Sequence, residues 1–304
     1  MKIHVSVPAT TANLGPGFDA LGLALNLWNE AAFSLREDGA VVVAIEGEGS
    51  DQLPVNESNF IAEAALGIYH RAGEPCPGME ICCVNRVPLS SGMGSSSAAM
   101  LTGMLGANAL LGHPFSDEEL LRMAIETEGH PDNVAPAMLG GLVASIVHGE
   151  RVVSMRLPAK ANHGMIYATV VLPDFEFPTQ YARSILPKMV DRQEAIYNIS
   201  RAVLVTEALR TGDLDLLGIA MKDKLHQPYR LPLIPGAVEA LEAGKEAGAA
   251  AVALSGAGPG MIAFSSVLDE EIGLAMQKAF AVNGLPSRIF ALETSYEGAE
   301  VTII

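Results

Sequence analysis

Pro88-Leu89-Ser90-Ser91-Gly92-Met93-Gly94-Ser95-Ser96-Ser97-Ala98 follows an apolar stretch over 79–84 that reads as a strand and leads into a helical stretch over 95–111. A strand, a glycine turn and a helix that starts on three serines make an arrangement suited to an anion. Gly92 and Gly94 let the backbone come close to a ligand. Ser95, Ser96 and Ser97 stand where a helix leaves its N–H groups unpaired and points the positive end of its dipole. From Pro88 to Ala98 the segment therefore reads as a polyphosphate cradle. It is not a Walker A loop, because no Gly-Lys-Ser/Thr closes it and the P-loop lysine is missing.

Two more segments extend the reading. Pro8-Ala9-Thr10-Thr11-Ala12-Asn13-Leu14-Gly15-Pro16-Gly17-Phe18-Asp19 lies near the start, and Ser255-Gly256-Ala257-Gly258-Pro259 lies beyond residue 250. In this order the three segments resemble the motifs of the GHMP kinase superfamily, which includes galactokinases, homoserine kinases and mevalonate kinases. Its ATP loop has the pattern Pro-x-x-x-Gly-Leu-Gly-Ser-Ser, matched here with Met93 in place of Leu, an exchange of similar volume. The Asn-Leu-Gly-x-Gly-Phe-Asp wording of the first segment is that of homoserine kinases. So is His130-Pro131-Asp132-Asn133-Val134-Ala135-Pro136 before a Gly-Gly pair; mevalonate kinases tend to show Pro-Ser-Gly-x-Asp there. The resemblance covers nearly the whole chain.

It implies an α+β fold of two domains: an N-terminal domain like the second domain of ribosomal protein S5 over 1–158, and a ferredoxin-like C-terminal domain over 159–304, with the site between them. It further implies ATP and Mg²⁺ as cofactors and transfer of phosphate from ATP to L-homoserine, the step that prepares homoserine for threonine formation. The alternatives are another GHMP kinase acting on mevalonate or a sugar alcohol, and a nucleotide-binding regulator of the same fold without catalysis.

The resemblance also suggests roles. Mg²⁺ takes hard oxygen ligands, usually one carboxylate with phosphates and waters. Glu128 with a loop serine, Ser95 or Ser96, is the expected set. Glu126 stays open as the alternative, since two residues apart on a helix the two carboxylates point about 200° from each other. Asp132, Asn133 and His130 form the expected catalytic turn. Asp132 follows Pro131 in what reads as a helix's first turn, where the dipole favours an ionised carboxylate that orients a hydroxyl more than it deprotonates it. His130 stays open between an acid/base partner and a structural histidine. A free amino acid needs an acidic partner and one or two arginines: Asp19 is expected on the ammonium, Arg183 and Arg230 on the carboxylate, and Asn13 as a hydrogen-bonding partner.

Outside these motifs the sequence is less specific. The formal charge of −16 argues against nucleic acid and anionic membranes as partners, leaving small molecules. It repels ATP too, so the cradle must work through backbone N–H groups, a few placed cations and a metal. Three cysteines, Cys76, Cys82 and Cys83, have no zinc or disulfide spacing and read as reduced structural thiols. The start shows no signal-peptide pattern and 97–112 is too short and too interrupted to span a bilayer, so a cytoplasmic location is expected. The oligomeric state is not set, a homodimer being the form allowed for. Strands are expected at 2–7, 30–35, 40–47, 165–172, 250–254 and 261–263. Helices are expected at 59–72, 180–186, 192–210, 236–247 and 269–282. A hairpin is read over 140–157 around Gly149-Glu150, and a linker over 158–163.

Overall fold

Alternation of apolar residues opens the chain: Ile3, Val5 and Val7 are buried while Lys2, His4 and Ser6 are not, which lays down the first strand. The structure, a computed structural model, describes residues 2–149, 151–159 and 165–304. The strand, β1 (Lys2–Ala12), continues through the first glycine motif and turns back into β2 (Leu21–Leu35). Both run further than their sequence patterns, read at 2–7 and 30–35, suggested. The reason is burial on both faces: Val7 to Ala12 and Leu21 to Leu25 have no exposed side left to show a period of two.

Next come β3 (Val41–Gly47), α1 (Phe60–Ala72), β4 (Met79–Asn85), α2 (Ser95–Leu110), α3 (Asp117–Glu128), α4 (Pro131–Leu139), β5 (Leu142–His148) and β6 (Arg151–Leu157). The Asn59 side chain accepts from the Ile61 N–H to start α1, and Ser116 with Glu119 forms a reciprocal capping box at the start of α3. The β5–β6 hairpin is in the register the sequence suggested, His148 opposite Arg151; Glu150 at its tip lies outside the described residues, as does 160–163 of the expected linker.

In the second half β7 (Tyr167–Pro173) is followed by α5 (Thr179–Ser184), α6 (Arg192–Thr211), α7 (Leu214–Ala220), the short α8 (Gln227–Arg230), α9 (Ala237–Glu246), β8 (Ala251–Leu254), β9 (Met261–Ser265), α10 (Glu270–Val282) and β10 (Ser287–Glu293). Among the described residues these strands make a sheet in the order β10-β7-β9-β8, antiparallel throughout. The last strand, β11 (Glu300–Ile303), crosses back and pairs with β1, Ile3 opposite Ile303. The first sheet runs β11-β1-β2-β4-β3, with the β5–β6 hairpin joined to the start of β2.

Helices α1 and α2 cover the first sheet through Phe33, Ile68, Ile81 and Leu101, while α9 and α10 cover the second through Val171, Met261, Met276 and Phe280. A third apolar cluster joins the halves: Leu14, Leu25 and Met93 pack with Val170, Val205, Leu217 and Ile262. This shared core seats the three glycine motifs against one another. The three cysteines are free thiols; burial, with a smaller push from Cys82, raises the Cys83 thiol to about 12, so it is inert at neutral pH. Among the described residues no helix is long and apolar enough to cross a membrane.

Candidate active site

The cradle is held by hydrogen bonds from the two other motifs. Ser91 Oγ donates to the Pro88 carbonyl (2.7 Å), Thr10 N–H donates to the Met93 carbonyl (3.1 Å), and Ser255 Oγ donates to the Gly92 carbonyl (2.7 Å). Gly256 N–H donates to the Ala12 carbonyl (3.2 Å), and Asn13 Nδ2 donates to the Gly256 carbonyl (2.7 Å). Met93 is fully buried and anchors the turn in the core.

The two loop glycines have a different task from the one their sequence suggested. Both are left-handed, with φ of 75° at Gly92 and 69° at Gly94. A Cβ on Gly92 would lie 2.2 Å from the Ser255 carbonyl oxygen, and one on Gly94 would lie 2.0 Å from Thr10 Oγ1. Their missing side chains leave room for the neighbouring motifs rather than for the anion.

That cleft, about 460 Å³, is bounded by the loop, the start of α2, the α3–α4 turn and the start of α5. On one side Glu128 ends α3 with Oε2 3.4 Å from Ser96 Oγ, which donates to it. The serine beside the carboxylate is Ser96 rather than Ser95. Glu126 points elsewhere, accepting from Arg122 (2.7 Å) and lying 4.0 Å from Arg71. Ser97 Oγ, which also borders the cleft, is buried without a hydrogen-bond partner. Among the described residues no three His, Cys, Asp or Glu gather into a metal cage. One carboxylate with neighbouring hydroxyls is a set of hard oxygens that fits Mg²⁺ completed by phosphates and water.

At the floor, Asp132 occupies the first turn of α4 and is 2% exposed. Its Oδ1 is 2.7 Å from His130 Nδ1. Burial works to lower the His130 pKa, but the hydrogen bond and charge of Asp132, with the charge of Glu128, outweigh it and the imidazole is raised above its ordinary value. Asn133 faces Thr10, whose hydroxyl donates to its Oδ1 at 2.8 Å; this ties α4 to β1 beside Gly94.

The opposite wall carries the charges. Arg183 donates two hydrogen bonds to Asp19, at 3.0 and 2.7 Å, and that bond chiefly raises the Arg183 pKa. Asn13 Oδ1 accepts from the Asp19 N–H at 3.0 Å, so the first motif sets the carboxylate in place. Arg230, only 1% exposed, donates through Nε to the Ala182 carbonyl (3.0 Å). Its Nη1 lies 3.3 Å from His226 Nδ1. Burial first, and the charge of Arg183 second, lower its guanidinium to about 10. Phe18 lies under both arginines, its ring centre 5.9 Å from Arg183 and 5.3 Å from Arg230.

Most residues the motifs singled out line this cleft, from Asn13 and the loop serines and glycines to Glu128, His130, Asp132, Asn133, Arg183 and Arg230; Asp19 joins them through Arg183, and Pro88, Met93 and Ala98 are not in its lining. The sequence reading gave no role to the supports: Thr10 and Ser255, inside the motifs, hold the loop carbonyls, and Asp223 and His226, outside them, hold the turn before Arg230 and the Gly15 carbonyl. Only His226, four residues before Arg230 in the same helical segment, carried a local signal.

Comparison with known proteins identifies the family. The models described as GHMP kinases N terminal domain and GHMP kinases C terminal match residues 59–141 and 205–282. The homoserine kinase of Moorella thermoacetica is 46% identical over 297 residues, covering 98% of this chain and 99% of its own. The crystal structure of homoserine kinase from Cytophaga hutchinsonii superposes with a TM-score of 0.86 at 32% identity, covering 99% of this chain and 97% of that one. The mevalonate kinase of Methanococcus jannaschii, at TM-score 0.69 and 13% identity over 96% of this chain and 98% of its own, shares the fold alone.

Proposed function

The chain belongs to the GHMP kinase family, and from that membership we propose that it transfers the γ-phosphoryl group of ATP to the side-chain hydroxyl of L-homoserine, giving ADP and O-phospho-L-homoserine. The observation that carries this choice of acceptor is the charged wall: Asp19, Arg183 and the buried Arg230 offer one carboxylate and two guanidinium groups to a zwitterion. A neutral sugar alcohol would leave Arg230 without an anion, and mevalonate, which has a carboxylate but no ammonium, would offer Asp19 nothing in exchange for Arg183.

The triphosphate lies along the loop and the start of α2, where N–H groups and the hydroxyls of Ser95, Ser96 and Ser97 take its oxygens. Glu128 with Ser96 is the pair that would hold Mg²⁺, which when bound would supply neutralisation of the charge on the phosphates. Arg183 and Arg230 bind the homoserine carboxylate and Asp19 its ammonium, which fixes the hydroxyl near Asp132. Asp132, already bonded to His130, orients that hydroxyl. The new P–O bond forms as the bond to the leaving ADP oxygen breaks. In a loose transition state the hydroxyl proton leaves late, from an oxygen already bonding to phosphorus, and passes to the Asp132 carboxylate that orients it and from there to solvent, so no strong base is required. Asn133 acts from behind by holding Thr10 and the Gly94 turn. In this reading the two structural units are the β7–β10 half, and the remainder of the chain with β11.

A coupled ADP-release assay over homoserine, mevalonate, galactose and threonine tests the reading. Homoserine should give the highest kcat/KM; a preference for mevalonate or galactose would overturn the acceptor, and no turnover with any would overturn catalysis.

A further inference from the structure

His226 is completely buried and touches three parts of the acceptor wall at once. Its Nε2 lies 2.8 Å from the Gly15 carbonyl oxygen, a group that can only accept, so Nε2 carries the proton. Its Nδ1 lies 3.3 Å from Arg230 Nη1, a group that can only donate, so Nδ1 is the acceptor. Its ring stacks on Phe18, centroids 5.1 Å apart and planes 23° apart, and Phe18 is the ring beneath both arginines. The histidine is itself fixed. Asp223 accepts from the N–H groups of Leu225 (2.8 Å), His226 (2.9 Å) and Gln227 (2.6 Å) and from Asn198 Nδ2 (2.7 Å). A Cβ on Gly15, whose φ is 68°, would lie 2.3 Å from the Met221 carbonyl oxygen, so the first motif seats directly on this turn.

We propose that His226 is a positioning residue for acceptor recognition: as a neutral Nε2–H imidazole it locks the Arg230 guanidinium to the Gly15–Asp19 loop, so that the carboxylate and ammonium receptors are held at one spacing. This rests on the homoserine reading, in which Arg230 meets the carboxylate and Asp19 the ammonium. Burial, and next to it the charge of Arg230, lower the His226 pKa against the opposing pull of Asp223, in keeping with a ring that stays neutral. A second N–H at Nδ1 would face the guanidinium N–H, so the arrangement tolerates one tautomer only.

Two half-replacements separate the functions of the ring. His226→Gln can keep a donor toward Gly15 and loses the acceptor for Arg230; His226→Asn can keep the acceptor and loses the donor. With folding checked by thermal melts, each should raise the homoserine KM about tenfold or more with kcat and the ATP KM little changed. The Gln variant should lose its defect with 3-aminopropan-1-ol, which has no carboxylate. Nitrogen-15 NMR of the ligand-free wild type should show the Nε2–H tautomer between about pH 6 and 9. An Nδ1–H tautomer, a ring that titrates in that range, or folded variants with a homoserine KM within twofold of wild type would overturn the proposal. Failure of the wild type to phosphorylate homoserine would instead overturn the acceptor assignment, and the tautomer would still report on the lock.

Discussion

Along the glycine loop and the first turn of α2 the cleft offers N–H groups and serine hydroxyls with one carboxylate, Glu128. The same cleft is lined by two guanidinium groups, Arg183 and Arg230, with Asp19 bonded to the first and the Phe18 ring beneath both. In the proposed reading the first wall would meet a highly charged ligand with mostly uncharged donors, and the second a ligand of no net charge with full charges. The contrast follows from what each must bind. Triphosphate arrives with its metal and needs many weak donors spread over several oxygens. A zwitterion needs two opposite charges at a fixed spacing, and isolated charges are worth most where water is excluded. On the acceptor wall the charges are already paired, Arg183 with Asp19, so the ligand exchanges one ion pair for two.

If the walls divide the work in this way, removing the one charge from the donor wall should have the largest effect. Glu128→Gln should lower kcat about a hundredfold or more and raise the Mg²⁺ requirement, while Glu126→Gln, which loses only its contacts with Arg122 and Arg71, should behave nearly as wild type. A swap of these phenotypes in a Mg²⁺ titration would move the metal to Glu126.

Next in size are changes confined to the acceptor wall. Arg230→Met or Arg183→Met should raise the homoserine KM by about one to two decades and leave the ATP KM unchanged; equal effects on both substrates would erase the distinction between the walls. Arg230 also predicts a pH effect. The guanidinium binds carboxylate only while charged, so the homoserine KM of the wild type should climb as pH rises through about 10, more steeply than that of Arg230→Met, in which only the substrate ammonium titrates there, and the ATP KM should not follow it.

The loop glycines give a smaller effect, read in stability. Gly94→Ala places a methyl against Thr10 Oγ1 in a left-handed turn and should cost about 2 kcal/mol in denaturant unfolding. Thr10→Ala should recover part of that loss by removing the clash, whereas no recovery would locate the strain in the backbone alone. Smallest is the His130–Asp132 pair. Because the folded-state pKa of His130 is raised, the stability it adds is fully present below the ordinary value near 6.5 and is lost as pH rises through the raised folded value. The difference between wild type and His130→Gln, about 1 kcal/mol in acid, should shrink toward alkaline pH.

How much of this was legible beforehand differs between the walls too. The donor wall is contiguous, Pro88 to Ala98, and a reader of the sequence meets its glycines, serines and helix start together. The acceptor wall is assembled from the loop between β1 and β2, α5 and α8, and its members are recognisable singly only because their segments resemble a family's. What joins them was not legible. Nothing local announces that Asn13 bonds to Gly256, that Asp223 holds the turn carrying His226, or that the space left by Gly94 is filled by Thr10. Such partners lie far apart in sequence and meet only through the shared core. Burial also hid structure: Leu21 to Leu25 has no exposed face, so the start of β2 carried no alternation to read.

The return of β11 to β1 has a consequence for synthesis. Until Glu300–Ile303 has emerged from the ribosome, the outer side of Lys2 to Ser6 has no partner there, although the rest of that sheet is already available. A nascent chain therefore carries a bare strand edge from the pairing of β1 with β2 until β11 is made, the feature through which unfinished chains stick to one another. Disrupting the pairing of Glu300–Ile303 with β1 should cost soluble yield before it costs catalytic chemistry.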